Sequence, residues 1–122
     1  MCKMLLSINP EHIENIFNGK KRFEFRKIKC KDDVDTIIFY STAPVKKVVG
    51  EAKIKEILVD VPSKIWEKTK VYSGIKYSFF QKYYLGKKQA VAYHLYDIKK
   101  YNEPTDLSDW GIDFAPQSFV YI

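Results

Sequence analysis

Apolar and polar residues alternate along several short stretches of the chain, and each stretch predicts a β-strand. At residues 22–26 two phenylalanines alternate with arginine, glutamate and arginine, and residues 90–98 alternate in the same way. Neighbouring side chains of a strand point to opposite faces, so each stretch has one face suited to burial. Apolar and β-branched runs predict four further strands, at residues 4–8, 36–42, 48–58 and 118–122.

Helical spacing of apolar residues occurs in three places between these strands. Asn9 and Pro10 are a typical N-cap and first helical residue, and Gly19 stands where a left-handed C-cap residue belongs. A first helix is therefore expected between them. Two more short helices are predicted, from Pro62 to Lys70 and from Ser73 to Gly86.

The order of these elements is β-α-β-β-β-α-α-β-β, in which too few helices alternate with strands for a doubly wound sheet. It favours an α+β fold: a small, mostly antiparallel, partly closed β-barrel with short helices on its rim. The chain has 122 residues, of which 46% are hydrophobic, so residues 1–122 are expected to form a single domain with one core. Gly50, inside a predicted strand, indicates a bulge or a close backbone approach.

The chain is basic, with 21 lysines and arginines against 15 aspartates and glutamates and a formal net charge of +6. A positive domain attracts polyanions over long distances, so the composition favours nucleic acid as a partner.

Lysines and aromatic residues interleave from Lys76 to Lys88, as they do where phosphates and stacked bases are bound. The alternative is that this segment is a helix, with Phe79, Phe80 and Tyr83 on its buried face. Its exposed rings are then Tyr77 and Tyr84.

The two cysteines, Cys2 and Cys30, are too few for a disulfide framework or a zinc site, so no metal and no cofactor is predicted. His12 and His94 belong to no catalytic or metal-binding motif and are interpreted as structural. The apolar run near the start is too short for the core of a signal peptide, and no segment has the length of a membrane span. We therefore expect a cytoplasmic protein without membrane contact.

The charged face of the strand at residues 22–26 is the strongest candidate for chemistry. Glu24 and Arg26 share that face about 7 Å apart along the backbone, so they either pair with each other or jointly hold a ligand. Lys21 lies at the turn before the strand, where its direction stays open. A solvated ladder of surface charges is the alternative interpretation.

Gly19, Lys21, Glu24 and Arg26 have the spacing Gly-x-Lys-x-x-Glu-x-Arg, which resembles the signature of the ASCH domain family. Flanking segments are similar to one branch of small single-domain ASCH proteins, so the resemblance covers nearly the whole chain. These segments are Leu6-Ser7-Ile8 with Pro10, Tyr40-Ser41-Thr42, Val48-Val49-Gly50-Glu51 and Ala115-Pro116-Gln117-Ser118-Phe119. ASCH domains resemble the RNA-binding PUA domains and share their small β-barrel.

The resemblance implies RNA binding in a cleft between the barrel and its helices, lined by the charged residues of the motif. A carboxylate beside a guanidinium suits a base, since Glu24 accepts from an exocyclic amino group while Arg26 or Lys21 donates to a phosphate or carbonyl. Further neutral hydrogen bonds in this cleft are expected from Ser41, Thr42, Gln117 and Ser118. The predicted function is binding of RNA or a nucleotide-like ligand, with regulation of transcription or translation as the role assigned to many family members.

Hydrolysis of RNA or of a modified nucleoside is the alternative function. Some small bacterial members hydrolyse an acylated cytidine with a lysine and a threonine nucleophile, but Glu24 stands at the threonine position. A carboxylate nucleophile would form a mixed anhydride, a poor intermediate at neutral pH, which argues against that activity. A nuclease or amidohydrolase would use Lys21 and Glu24, and Glu51 or Glu56 would be its distant partner. A protein-interaction module, with Trp110 and exposed tyrosines as anchors, is a third class.

Overall fold

The computed structural model describes residues 2–122, and its largest element is a six-stranded β-sheet. The strands are β1 (Cys2–Ile8), β2 (Phe23–Arg26), β3 (Val34–Ser41), β4 (Lys47–Asp60), β5 (Ala90–Thr105) and β6 (Phe119–Tyr121). Their order across the sheet is β2-β5-β4-β3-β1-β6, with β1 and β3 parallel and the other pairs antiparallel. The sheet curls into a half-barrel, which confirms the predicted α+β fold and its partly closed barrel.

Three short helices accompany the sheet: α1 (Pro10–Phe17), α2 (Pro62–Thr69) and α3 (Tyr77–Tyr83). The predicted order of elements is confirmed, with two 3-10 turns added at Lys70–Tyr72 and Leu107–Trp110. The helix predicted from Ser73 begins later, because the Ser73 hydroxyl is hydrogen-bonded to the carbonyl oxygens of Lys70 and Ile75 and holds this segment in a turn. Within residues 2–122, no helix combines the length and the apolar character needed to cross a bilayer.

Strand β5 extends beyond the predicted end at Ile98 and runs to Thr105. Its second half keeps pairing with β4, where Lys99 lies opposite Glu51 and Thr105 lies opposite Val48. Backbone hydrogen bonding therefore decides the length of this strand, since the polar side chains of residues 99–105 give no strand pattern of their own.

Helix α1 begins and ends as its capping residues predict. The Asn9 side chain accepts a hydrogen bond from the backbone N–H of Glu11 at 2.8 Å, and Gly19 adopts a left-handed φ of 84°. The chain then turns back, and the N–H of Lys21 donates to the carbonyl oxygen of Asn15 at 2.9 Å. This turn fixes the direction of Lys21, which the sequence left open.

The apolar residues form separate clusters on the two sides of the curled sheet. One cluster packs α1, through Ile13 and Ile16, against β1, β3 and β5. A second cluster packs β2 against α2 and α3, and it contains Phe23 and Phe25 together with the buried ring of Phe80. The two β2 phenylalanines are thus on a buried face, as the alternation predicts.

Two aromatic residues, Phe79 in α3 and Tyr84 directly after it, differ in burial from their predictions. Tyr84 is buried, and its hydroxyl is 2.8 Å from the carbonyl oxygen of Arg26, so the ring leaves water while its polar atom stays hydrogen-bonded. Phe79 was predicted in the core but is 49% exposed. Tyr77 is exposed, as expected.

Gly50 is a point of close approach between β4, β5 and α1. A Cβ atom at this position would lie 2.5 Å from the carbonyl oxygen of Lys99 and 2.7 Å from the ring of Phe17. Only glycine fits these contacts without a shift of backbone, and the pairing of β4 with both β3 and β5 also changes register between Val48 and Gly50. The close approach and the bulge predicted at Gly50 are thus both present.

We expect Gly50→Ala to destabilise the protein by about 1–3 kcal/mol, because the added methyl group overpacks a site bounded by backbone. Urea unfolding followed by circular dichroism measures this change, and Gln89→Ala, at an exposed position, is the control. Equal unfolding midpoints for the two variants would show that the site adapts to the methyl group.

Candidate functional site

The three charged residues of the motif converge on one side of β2. Two nitrogens of Arg26 contact the Oε2 atom of Glu24, Nη2 at 3.0 Å and Nε at 3.1 Å. The Nζ atom of Lys21 lies 4.0 Å from the other carboxylate oxygen, Oε1. Glu24 is only 6% exposed, so its carboxylate is held between two cations away from bulk water. The charged face is a buried cluster and not a solvated ladder.

Lys21 is enclosed by the segment that precedes α3. Its Nζ atom donates to the carbonyl oxygen of Ser73 at 2.9 Å and lies 4.8 Å from the centre of the Phe25 ring. Gly74 has a left-handed φ of 68°, and a Cβ atom on it would be 2.4 Å from the Lys21 Cβ. Burial lowers the pKa of Lys21; the negative charge of Glu24 opposes this effect and the positive charge of Arg26 adds to it.

Arg26 connects the two edges of the half-barrel. It lies on β2, one edge strand, and its Nη2 atom donates to the carbonyl oxygen of Ser7 on β1 at 2.9 Å. Its Nη1 atom donates to the Ser118 hydroxyl, just before the other edge strand β6, at 3.2 Å. A planar guanidinium donates in several directions at once, so one side chain joins Glu24 and both edges.

A cavity of about 180 Å³ opens above this charge cluster. Its polar wall consists of Ser7, Asn9, His12, Lys21, Glu24 and Arg26, and its apolar wall consists of Ile8, Phe25, Ile75, Phe79 and Tyr83. Burial raises the pKa of the Tyr83 hydroxyl, so this group stays neutral. The cavity therefore offers cationic donors and a carboxylate acceptor beside aromatic rings.

His12 is a cavity residue that the sequence interpretation took to be structural. Burial lowers its pKa below the ordinary value of 6.5, and the charge of Lys21 lowers it further, so the ring is neutral at pH 7. Its Nδ1 atom is buried without a hydrogen-bond partner among residues 2–122. The only signal in the sequence was its place in the first turn of the helix that leads into the motif.

The other predicted site residues lie outside the cavity wall. Ser118 contacts Arg26, but the cavity is bounded instead by Ser7, whose hydroxyl donates to the carbonyl oxygen of Pro116 at 2.6 Å. Gln117 is exposed and does not line the cavity.

The segment at the end of β3 supports the cavity from behind. Ser41 is buried opposite Ile8, and the N–H of Thr42 donates to the carbonyl oxygen of Ile8 at 3.0 Å. These residues therefore hold the strand end that carries Ser7 and Ile8, and neither side chain lines the cavity.

The two distant glutamates considered for catalysis face other partners. Glu51 accepts a hydrogen bond from the Tyr101 hydroxyl at 2.8 Å, and Glu56 lies 3.7 Å from Nδ1 of His94. Neither glutamate lines the cavity. Within the described residues, 2–122, no three His, Cys, Asp or Glu side chains are grouped as a metal site would require.

Comparisons with known proteins identify a family and several relatives. The ASCH domain family matches residues 6–105. Large ribosomal subunit protein uL22 of Ureaplasma parvum is 31% identical over 120 residues, which are 98% of this chain and 39% of that protein. The ASCH domain-containing ribonuclease of Zymomonas mobilis is 30% identical over 94 residues, which are 76% of this chain and 64% of that protein. The chain thus spans less than two thirds of both curated relatives.

The crystal structure of ASCH from Zymomonas mobilis has the same fold. It superimposes with a TM-score of 0.89 at 26% identity, covering 98% of this chain and 87% of that one.

We expect Arg26→Met to destabilise the protein by about 3 kcal/mol, because it leaves the Glu24 carboxylate buried without its main partner. The double variant Glu24→Gln, Arg26→Met should lose less stability than Arg26→Met alone, since the unpaired charge is then absent. Urea unfolding of the single and double variants measures this difference.

The control is Lys29→Met, which removes an exposed ion pair with Asp32 and should shift the unfolding midpoint little. A shift for Arg26→Met as small as that of Lys29→Met would rule out a structural role for the buried pair.

Proposed function

The chain belongs to the ASCH domain family, and we propose that it binds single-stranded RNA with one nucleotide in the cavity above Arg26. The observation that carries this proposal is the cavity itself, which joins Lys21, Glu24 and Arg26 to the rings of Phe25 and Phe79 in one small space. Charged groups and aromatic faces in this combination match the two aspects of a nucleotide, a polar edge and an apolar base plane.

The hydrogen-bonding capacity of Glu24 supports binding of a base. Arg26 occupies the Oε2 atom, whereas the Oε1 atom is 4.0 Å from Lys21 Nζ, beyond hydrogen-bond distance. Oε1 is therefore available to accept from an exocyclic amino group, and the Lys21 ammonium beside it can donate to a carbonyl or phosphate oxygen.

The size of the cavity supports a single unstacked base. Its volume of about 180 Å³ is below the roughly 300–1,000 Å³ of sites for drug-sized ligands, so the strand beyond the bound nucleotide stays outside. A base inside a duplex cannot enter such a space without unpairing, and single strands present their bases freely. The net charge of +6 favours the same polyanion.

Fluorescence anisotropy with labelled single-stranded RNA tests this proposal. We expect an affinity that falls with salt along a linear log–log plot, with a slope of about −0.7 for each phosphate contacted. Glu24→Gln and Arg26→Lys should weaken binding at least about tenfold, since each removes a charge-assisted or forked contact.

The matched control is Lys99→Ala, an exposed lysine that does not line the cavity. Circular dichroism of each variant separates lost binding from lost folding. Unchanged affinity in both cavity variants, or no binding of RNA at low salt, would rule out the proposal.

RNA cleavage in the same cavity is a second candidate function, favoured by the neutral imidazole of His12 in the cavity wall and by the relative named a ribonuclease. A neutral imidazole can accept the proton of a ribose 2′-hydroxyl, whose oxygen then attacks the neighbouring phosphorus. The bond to the 5′-oxygen breaks, and this oxygen takes a proton from the Lys21 ammonium. The products are a 2′,3′-cyclic phosphate and a 5′-hydroxyl. The Glu24 carboxylate is not assigned the role of base, because its Oε2 atom is engaged by Arg26.

If the chain cleaves RNA, we expect the rate to rise with pH through the lowered pKa of His12, below 6.5, and to be level near pH 7, since the base must be unprotonated. His12→Asn should abolish cleavage while RNA binding persists. Gel analysis of labelled RNA over this pH range measures both effects. His94→Asn, the same change away from the cavity, is the control, and equal loss in both variants would exclude His12 as the base.

A further inference from the structure

A second, larger groove adjoins the cavity on the outer side of α1 and α3. Its volume is about 890 Å³, and it runs between α1, the turn at Lys70–Tyr72 and α3. Four residues line both spaces, namely Asn9, His12, Ile75 and Phe79. The cavity and the groove are therefore continuous, with His12 and Phe79 at their junction.

The groove carries an excess of positive charge. Four lysines line it, Lys20, Lys70, Lys76 and Lys82, and the only acidic residue among its lining residues is Glu11. Lys70 is paired with Glu67 at 2.8 Å, whereas the other three lysines have no ion pair among residues 2–122. Three uncompensated lysines around one groove, Lys20, Lys76 and Lys82, favour a ligand with several negative charges along its length.

Phe79 provides an exposed ring where the groove meets the cavity. It is 49% exposed and lies nearly parallel to Tyr83, with an interplanar angle of 8°. The exposed part of such a ring can stack on a base, as aromatic rings do with successive bases of a single strand. The side chains of Asn15 and Ser78 add neutral hydrogen-bonding groups to the same groove.

We propose that the groove binds the sugar–phosphate chain next to the nucleotide in the cavity, so that the ligand is an RNA strand of several nucleotides and not a mononucleotide. This inference rests on the proposed function of the cavity and extends it. Lys20, Lys76 and Lys82 contact phosphates, and Phe79 stacks on the base that follows the bound one.

The test compares a mononucleotide with single-stranded oligonucleotides of increasing length. The wild type should bind the oligonucleotides more tightly, with affinity rising until the groove is filled. The triple variant Lys20→Ala, Lys76→Ala, Lys82→Ala should keep its affinity for the mononucleotide and lose at least about tenfold for the oligonucleotides. Its log–log salt slope should be shallower by about 2, since each phosphate contact in a single strand contributes about 0.7.

A matched triple variant separates this groove from general positive charge. Lys55→Ala, Lys88→Ala, Lys99→Ala removes the same charge from exposed positions that do not line the groove, and it should bind like the wild type. Equal losses of oligonucleotide affinity in the two triple variants would overturn the proposal that the groove binds RNA. Oligonucleotides that bind no more tightly than the mononucleotide would overturn it as well.

Arg26→Lys distinguishes the groove from the cavity, because it should weaken the mononucleotide and the oligonucleotides alike. If Arg26→Lys binds oligonucleotides as tightly as the wild type does, binding of a nucleotide in the cavity is excluded. If affinity is lost only in the triple variant of the groove, the groove still binds RNA and the cavity does not. Absence of binding by any RNA overturns both.

Discussion

The ion pair between Glu24 and Arg26 is the interaction on which the arrangement of the site depends. An edge strand has one row of backbone groups without a partner, and β2 is paired only with β5. Arg26 supplies the missing connection, because its guanidinium reaches β1 and the residue before β6 while Glu24 holds it in place. Its own carbonyl oxygen accepts from Tyr84 at the end of α3. Sheet edges and helix are thus joined through one residue, by its side chain and its backbone carbonyl.

The charge cluster and the neighbouring His12 carry local costs in stability. Lys21 is buried although burial lowers its pKa, and His12 keeps a buried nitrogen without a hydrogen bond among the described residues, 2–122. A buried ammonium group and a buried nitrogen without a hydrogen bond both lower the stability of a fold, unless a ligand forms the missing contacts. Natural proteins accept such local conflicts mainly at functional sites, and the apolar clusters on both sides of the sheet provide the compensating burial.

Much of the fold followed from local signals in the sequence, and the site followed only in part. Capping by Asn9, alternation around Phe25 and the spacing of the charged motif are properties of neighbouring residues, and the structure has each of them. The length of β5 and the exposure of Phe79 depend on pairing and packing between distant segments, which no local pattern records. His12 and Ser7 enter the cavity for the same reason, since only the folded chain brings α1 and β1 to the motif.

The contact between Arg26 and Ser118 joins residues that are 92 positions apart, and Ser7 reaches Pro116 over 109 positions. Forming a contact across so many residues has the largest entropic cost of loop closure, so it is disfavoured until the intervening chain is ordered. The wall of the cavity at Ser7 therefore assumes its final geometry in a late step of folding. A chain that has formed its central strands but not this closure presents an open sheet edge in place of the cavity, so a complete cavity reports that the whole sheet has assembled.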